Sequence, residues 1–355
     1  MIPPRLASAG HTSTRSEGRA RSGSSGAAVH ILECADGSRV AVKIAASPRV
    51  SATGQAAARA QIAPFFGQRL PRVLYAGRHQ DTDFLVTECP SSRTFADAAR
   101  DHGPAPDLLA TWAQIVDHLV GVWQQSAQPG YEPDRATRNH QRRLERAIDG
   151  LTYAFGVLGA ELSSRHRFIV NGSDLGTWEQ LQRRLAALAP PDFRVACLGD
   201  PQPANVLLTP QLDWYLIDWE WSGRHHDWRM MASHLLGWWF VEDLLAHARG
   251  TIALGSGHVI LDYPPPGPAA IRPLLARPTR AFHTMTTPRT HDRDHAALCL
   301  HTAMLLLREI PRTAAKNKHL FAPLLGEALR LVDAADHGAP HPLLPARPPF
   351  PRTTW

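Results

Sequence analysis

Residues 197–208 read CLGDPQPANVLL, and residues 215–220 read YLIDWE. Asp200 is followed by Asn205, then by an apolar run, and a second acid, Asp218, comes after the next apolar run. In phosphoryl transfer from a nucleoside triphosphate, one carboxylate orients the acceptor hydroxyl and takes its proton, while an amide oxygen and a second carboxylate hold Mg²⁺ against the phosphates. The spacing therefore predicts Asp200 as the catalytic base and Asn205 and Asp218 as metal ligands. The alternative is that Asp200 and Asn205 only form a turn, since Asp, Asn and Pro are common turn residues.

These two stretches resemble the aminoglycoside phosphotransferase and choline kinase-like family, whose loops run His-Gly-Asp-x-x-x-x-Asn and Ile-Asp-Trp/Phe-Glu. The residues that agree with this pattern are Gly199, Asp200, Asn205, Ile217, Asp218, Trp219 and Glu220. Leu198 stands where the family has its loop histidine. The resemblance implies an α+β, two-lobed protein kinase-like fold, with a small β-rich N-lobe and a large, mainly helical C-lobe. It also implies ATP or GTP and Mg²⁺ as cofactors.

A kinase-type site also needs a cation on a strand of the small lobe, where it holds the nucleotide phosphates. Residues 38–45, SRVAVKIA, alternate as a half-buried strand does, and they carry Lys43. The chain has three lysines, Lys43, Lys316 and Lys318, and its other basic residues are arginines. A compact ammonium and a wide guanidinium fork are not interchangeable at a tight phosphate contact. We therefore predict Lys43 as the phosphate clamp; the alternative is an edge-strand lysine that faces water.

A Gly/Ser-rich stretch lies before this strand and contains Gly23, Ser24, Ser25 and Gly26. Backbone N–H groups of such a loop can cover phosphates, which predicts these four residues as nucleotide-binding. The same composition is also that of a flexible linker. Between the loop and Lys43, Asp36-Gly37 predicts a tight turn between two strands.

The helix expected after Lys43 normally supplies a glutamate that pairs with the strand lysine. The stretch 54–63, GQAAARAQIA, has good helix propensity but contains no acid, and Gln61 is predicted as the partner of Lys43. A neutral amide holds a lysine less firmly than a carboxylate does. Residues 84–88, FLVTE, predict the last small-lobe strand, and Glu88 begins the predicted hinge beside the nucleotide base.

The rest of the chain predicts helices and core. A stripe at three- and four-residue spacing predicts one helix: Leu108, Leu109, Trp112, Ile115, Val116, Leu119, Val120 and Trp123. A second helix is expected near residues 177–189. After Glu220, Asp227 matches the first acid of the family's next motif, while Met231 replaces the second. The Pro-rich stretches 263–278 and 341–351 predict irregular structure.

The resemblance and the composition together suggest four segments. They are a flexible N-terminal segment at 1–17, a nucleotide-binding N-lobe at 18–90, a C-lobe for catalysis and acceptor binding at 91–335, and a Pro-rich tail at 336–355. Hydrophobic content of 44% and charged content of 20% exclude a disordered chain.

Composition also bounds partners and location. The net charge of +6 invites a nucleic-acid interpretation, but the arginines are spread along the chain and are not interleaved with aromatic residues, so no nucleic acid is expected. We expect no membrane span, no secretory signal and no obligate protein partner. The four cysteines, Cys34, Cys89, Cys197 and Cys299, have no metal-binding spacing and favour a reducing, cytoplasmic location.

Two functions follow from these residues. The first is an ATP-dependent phosphotransferase acting on a hydroxyl of a small molecule, such as an aminoglycoside, an amino alcohol or a sugar. The second is a nucleotide-binding or interaction protein that has lost catalysis, which the departures at Gln61, Leu198 and Met231 support. Substitution of Asp200 separates them, because only the enzyme needs that carboxylate for turnover.

Overall fold

The computed structural model describes residues 13–22, 28–45, 51–79, 82–129, 133–255, 257–264, 272–287, 289–314 and 317–337. The chain divides into two compact units, each formed by two separate parts of the sequence. The first unit comprises Met1–Ala127 and Val195–His226, and the second comprises Gln128–Arg194 and Asp227–Trp355. Within the described residues, no helix is both long and apolar enough to cross a lipid bilayer.

The first unit contains a five-stranded antiparallel sheet with the strand order β1-β2-β3-β5-β4. Its strands are β1 (Ser13–Ser22), β2 (Ala28–Cys34), β3 (Arg39–Ala45), β4 (Val73–His79) and β5 (Thr82–Glu88). The alternation in β3 buries Val40 and Val42 in an apolar cluster with Cys34, Phe84 and Val86. Lys43 follows Val42 and therefore projects from the opposite face of the strand.

The turn between β2 and β3 is the predicted Asp-Gly turn. The Asp36 carboxylate accepts a hydrogen bond of 2.9 Å from the Ser38 backbone N–H. Gly37 has a φ of +79°, a left-handed conformation that glycine adopts without steric cost. The predicted hairpin leading to Lys43 is confirmed.

Three helices complete the N-terminal part of the first unit: α1 (Ala52–Phe66), α2 (Phe95–His102) and α3 (Pro106–Ser126). Ser51 caps α1 by accepting a hydrogen bond from the Gly54 N–H. Thr94 and Asp97 form a reciprocal capping box at the start of α2. The predicted apolar stripe lies on α3, where all of its members except Leu109 are buried.

Two short antiparallel strand pairs bring the sequence motifs together in the first unit. Strands β10 (Val206–Leu208) and β11 (Trp214–Leu216) are antiparallel, with Val206 opposite Leu216. Strand β12 (Gly223–His226) pairs antiparallel with the end of β9 (Phe193–Cys197), and Gly223 lies opposite Cys197. The first pair places the segment after Leu216 next to Asn205. The second pair places the segment after Glu220 next to Cys197.

The second unit is mainly helical. Its helices are α4 (Pro133–Val157), α5 (Trp178–Ala186), α6 (Trp228–His247), α7 (Arg272–Met285), α8 (His291–Ala314) and α9 (Phe321–His337). A four-stranded sheet has the order β13-β14-β7-β8, from β7 (Arg167–Val170), β8 (Ser173–Thr177), β13 (Thr251–Gly255) and β14 (His258–Asp262). The pair β14 and β7 is parallel, and the other two pairs are antiparallel. The two-residue strand β6 (Gln128–Pro129) pairs with Phe193 and Arg194.

The prediction of irregular structure for 263–278 is wrong over its second half, because α7 begins at Arg272. Pro273 lies in the first helical turn, where a missing N–H leaves no hydrogen bond unmade. Pro278 lies inside the helix, whose buried face carries Leu274, Leu275 and Phe282. Burial of this apolar face outweighs the cost of one internal proline. Residues 265–271 and the Pro-rich stretch 341–351 lie outside the described residues.

A buried charge network lies in the second unit at the start of α6. Arg229 is fully buried and donates to both oxygens of Asp227, at 2.9 and 2.7 Å, and to Asp294 at 3.2 Å. His301 Nε2 lies 3.3 Å from Asp227 Oδ2. Burial alone would raise the pKa of Asp227, but Arg229 and His301 outweigh it and hold that pKa well below its usual range. Burial lowers the pKa of His301 to about 4.

Candidate active site

The structure brings Lys43 and Asp218 together across 175 positions of sequence. Lys43 Nζ lies 2.7 Å from Asp218 Oδ1, and the side chains are 16% and 31% exposed. Asp218 has φ 66° and ψ 62°, a left-handed backbone conformation that is uncommon for residues other than glycine. Its carboxylate is thus directed at Lys43 by an unusual turn directly after β11. Such conformations cluster at functional sites.

A second carboxylate binds the same ammonium. Glu220 Oε2 lies 3.0 Å from Lys43 Nζ, and the Glu220 side chain is 5% exposed. Burial disfavours the charged lysine, but the two carboxylates outweigh burial, so the pKa of Lys43 is raised above its ordinary value. Lys43 is therefore held as a cation. In the sequence, Glu220 is part of the motif YLIDWE, which by itself indicates no partner for its carboxylate.

The loop that carries Asp200 is fixed through its backbone. Gly199 has a φ of +90°, and a Cβ atom there would lie 2.4 Å from the Trp221 carbonyl oxygen. The Ser222 hydroxyl donates to the Leu198 carbonyl at 2.7 Å, and the Leu198 side chain is buried. Leu198, in the place of the family's histidine, is therefore a core residue here. The Asp200 carboxylate is half-buried and accepts a hydrogen bond of 3.1 Å from the Gln202 side chain.

Asn205 joins this loop to the hairpin that carries Asp218. Its side-chain N–H₂ donates to the Asp200 carbonyl at 2.9 Å, and its own carbonyl accepts from the Ile217 N–H at 2.9 Å. The donated bond fixes the orientation of the buried amide and leaves the amide oxygen as its acceptor atom. Asn205 is therefore tied to Asp200 by a side chain-to-backbone hydrogen bond, and to Ile217, the residue before Asp218, by a backbone hydrogen bond.

The donor set fits a hard cation. Magnesium takes oxygen ligands and is commonly bound by one or two protein groups together with substrate phosphates. The Asp218 carboxylate and the Asn205 amide oxygen are of that type. The described residues contain no cluster of three or more His, Cys, Asp or Glu placed to hold a metal ion by themselves.

The structure does not bring Gln61 to Lys43. Among the described residues, the hydrogen-bonding partners of Lys43 are the two carboxylates, and Gln61 is exposed on α1. The polar side chain that α1 buries is Gln55, which is 2% exposed. The two glutamines are six positions apart, about 240° around a helix, so they lie on different faces. The predicted pair of Gln61 and Lys43 is therefore not formed, because Gln61 lies on the exposed face of α1.

The other predicted nucleotide residues are placed as follows. Glu88 ends β5, and its carboxylate pairs with Arg72, whose Nε lies 2.6 Å away. The hydrogen bond from Arg72 lowers the pKa of Glu88. The Glu88 backbone N–H donates to the Arg72 carbonyl at 3.0 Å. Gly23, Ser24, Ser25 and Gly26 lie outside the described residues.

One exposed residue beside the loop was not singled out from the sequence. Trp221 is 56% exposed, although its backbone packs against Gly199. In the sequence, Trp221 is the second tryptophan of DWEW, three positions after Asp218.

Solved structures with a similar fold include small-molecule kinases. A protein from Thermobifida fusca YX-ER1 assigned as a fructosamine-3-kinase aligns with a TM-score of 0.51 at 15% identity, over 93% of this chain and 97% of that one. An amicoumacin kinase, solved with AMP-PNP and Ca²⁺, aligns with a TM-score of 0.50 at 13% identity, over 97% of this chain and 95% of that one. An aminoglycoside 3'-phosphotransferase of type VIII aligns with a TM-score of 0.49 at 19% identity, over 87% and 97%.

The alignments with a TM-score of at least 0.50 confirm the predicted α+β, protein kinase-like fold. The fold that the sequence resemblance implies is therefore confirmed. No protein-family model matches the sequence. No curated protein matches it in sequence either.

Proposed function

We propose that this chain is a phosphotransferase that moves the γ-phosphoryl group of ATP, or of GTP, to a hydroxyl of a small molecule. The observation that carries the proposal is the convergence of Lys43 on Asp218 and Glu220, beside a loop in which Asn205 is hydrogen-bonded to Asp200. A strand cation, two oxygen ligands and a carboxylate base are the parts that kinase-type transfer requires.

Each residue has one task in the proposed reaction. Asp200 accepts a hydrogen bond from the acceptor hydroxyl and takes its proton as the oxygen–phosphorus bond forms. The bond from the γ-phosphorus to the bridging oxygen breaks, and the nucleoside diphosphate leaves with that oxygen. The Lys43 ammonium binds the nucleotide phosphates and offsets their negative charge. Asn205 and Asp218 would hold Mg²⁺, which supplies charge neutralisation on the phosphate oxygens.

The second candidate is a nucleotide-binding protein without catalysis. The departures that favour it are Leu198, Met231 and the lack of an acid on α1. Against it, Lys43 has two carboxylate partners and Asp200 is retained in a backbone-fixed loop. Leu198 and Met231, which stand where the family has its histidine and second acid, are 1% and 0% exposed. Both positions are therefore filled by packed apolar side chains. The enzyme is therefore the better-supported function.

A thermal-shift titration tests the nucleotide site. Wild type, Asp218→Ala and the matched control Asp213→Ala are heated with ATP or GTP, with and without Mg²⁺. Asp213 is an exposed residue at the turn of the same hairpin. Ligand at about 100 times its dissociation constant should stabilise wild type and the control by about 2.7 kcal/mol. The Mg²⁺-dependent part should vanish in Asp218→Ala, and an unchanged response in that variant overturns the metal-ligand assignment.

Turnover is tested separately. Nucleoside diphosphate release is measured with a panel of hydroxylated acceptors that covers aminoglycosides, amino alcohols and sugars. Asp200→Asn should lower kcat by at least 100-fold while nucleotide affinity stays within about twofold, because a general base contributes about 10²–10⁴-fold. A wild type that binds nucleotide and phosphorylates no acceptor would support the second candidate.

A further inference from the structure

Helix α1 cannot supply the acid that kinase-type sites use to hold the strand lysine. Its residues, Ala52–Phe66, read ATGQAAARAQIAPFF and contain neither Asp nor Glu. The charge that α1 does carry is positive. Arg59 donates to the Pro71 and Leu70 carbonyls at 2.8 and 3.0 Å, and its guanidinium lies 5.6 Å from the centre of the Trp219 ring. An anchor for Lys43 must therefore come from elsewhere in the chain.

The segment after Asp218 supplies it. Residues Trp219–Trp221 form one tight helical turn that begins directly after the left-handed Asp218. Trp219 is 2% exposed, and its ring N–H donates to the Leu216 carbonyl at 3.0 Å. Because Trp219 is fixed, the residues on either side of it are fixed as well. Asp218 and Glu220 both reach Lys43 from this turn, at 2.7 and 3.0 Å.

We propose that Glu220 is the positioning residue for Lys43, in the role that a helix acid has in other kinase-type sites. This inference rests on the proposed function. Two carboxylates on one ammonium divide two tasks between them: the more exposed Asp218 is available to a cation, while the nearly buried Glu220 keeps Lys43 in place. The lysine anchor and the metal ligand then lie two residues apart on one rigid turn. The position of Lys43 therefore does not depend on an ion pair with α1.

A cycle of variants tests the pairing in the protein without nucleotide. Wild type, Glu220→Gln, Lys43→Met and the double variant are compared by melting temperature. Glu220→Gln should lower the melting temperature in the wild-type background. In the Lys43→Met background it should have no effect or raise the melting temperature, because it then removes repulsion between neighbouring carboxylates. An equal decrease in both backgrounds would mean that Glu220 acts only in packing, and would overturn the proposal. If Lys43→Met does not fold, Lys43→Gln takes its place in the cycle.

Nucleotide binding tests the consequence for function. Glu220→Gln should weaken Mg²⁺–ATP binding by about tenfold, the loss expected when one charge-assisted hydrogen bond no longer orients the lysine. Gln61→Ala, the matched control on the exposed face of α1, should leave affinity unchanged. Glu220→Gln with wild-type affinity, or Gln61→Ala with the tenfold loss, contradicts the inference. A wild type that binds no nucleotide contradicts the proposed function instead, and the melting-temperature cycle still decides the pairing.

Discussion

Gly199 holds the loop that carries Asp200 in a conformation and at a close approach that an alanine does not tolerate. Its φ is +90°, and an added Cβ would lie 2.4 Å from the Trp221 carbonyl oxygen and 2.6 Å from the Trp221 Cβ. Both contacts are closer than real Cβ atoms tolerate, and one of them is to backbone. Gly199→Ala must therefore push apart the segments that carry Asp200 and Asp218.

Two other glycines of the first unit separate the causes. Gly37 has a φ of +79° with nothing within 4 Å of an added Cβ, so Gly37→Ala costs backbone strain alone, about 1–2 kcal/mol. Gly121 lies in α3 with open space around an added Cβ, so Gly121→Ala should stabilise by about 0.5–1 kcal/mol. Gly199→Ala adds overpacking of about 1–3 kcal/mol to the strain, for a total loss of about 2–5 kcal/mol.

Urea unfolding of the wild type and the three alanine variants measures these differences. The expected order of stability is Gly121→Ala, wild type, Gly37→Ala and then Gly199→Ala. Nucleotide-dependent stabilisation should be lost only in Gly199→Ala, because only this substitution displaces the loop of Asp200. A Gly199→Ala protein as stable as Gly37→Ala, with normal nucleotide binding, would refute the steric argument.

Two predictions concern the buried charges of the second unit. The pKa of His301 is lowered from its ordinary value of 6.5 to about 4. Between these pH values the unfolded chain binds a proton at His301 and the folded chain does not. The contribution of neutral His301 to the free energy of unfolding is therefore complete above pH 6.5 and falls by about 3 kcal/mol as the pH approaches 4. The free energy of unfolding, measured across this pH range, should depend less on pH in His301→Gln than in the wild type. An unchanged pH dependence would exclude His301 as the cause. Arg229→Met leaves Asp227 and Asp294 buried without their partner and should cost about 3–5 kcal/mol, whereas removal of the exposed Arg183 should change stability by less than about 1 kcal/mol. Equal losses in the two arginine variants, measured by denaturant unfolding, would contradict this account.

The sequence singled out two distant residues, Lys43 and Asp218, that the structure brings together. Lys43 and Asp218 were each predicted from local pattern, one from strand alternation and one from motif spacing, and the structure joins them by an ion pair. The fold class followed from the family resemblance that the second of these motifs carries. The α3 helix followed from apolar periodicity, since seven of its eight predicted core positions are buried. These features depend on residues close together in sequence, where pattern is informative.

Features set by tertiary geometry were not predictable in the same way. Helix propensity and the lack of an acid predict Gln61 as the partner of Lys43, but which helix face is buried depends on packing, and Gln55 is the glutamine that is buried. The helix α7 was missed because its prolines favoured a loop, whereas burial of Leu274, Leu275 and Phe282 decided the outcome. Glu220 carried a signal in the motif. The ion pair it makes depends on the left-handed turn at Asp218, which no local pattern announces.

The absence of an acid on α1 has a different meaning once Glu220 is in place. Taken from sequence alone, this absence argues for a lost activity, because a lysine without a carboxylate partner is poorly held. In the structure Lys43 has two such partners, and both are on the segment that also provides the proposed metal ligand. The cation of α1, Arg59, lies over Trp219 and supports that same segment from the other side. An acid on α1 would therefore duplicate a contact that already exists. Because Glu220 holds Lys43, the chain does not need that acid.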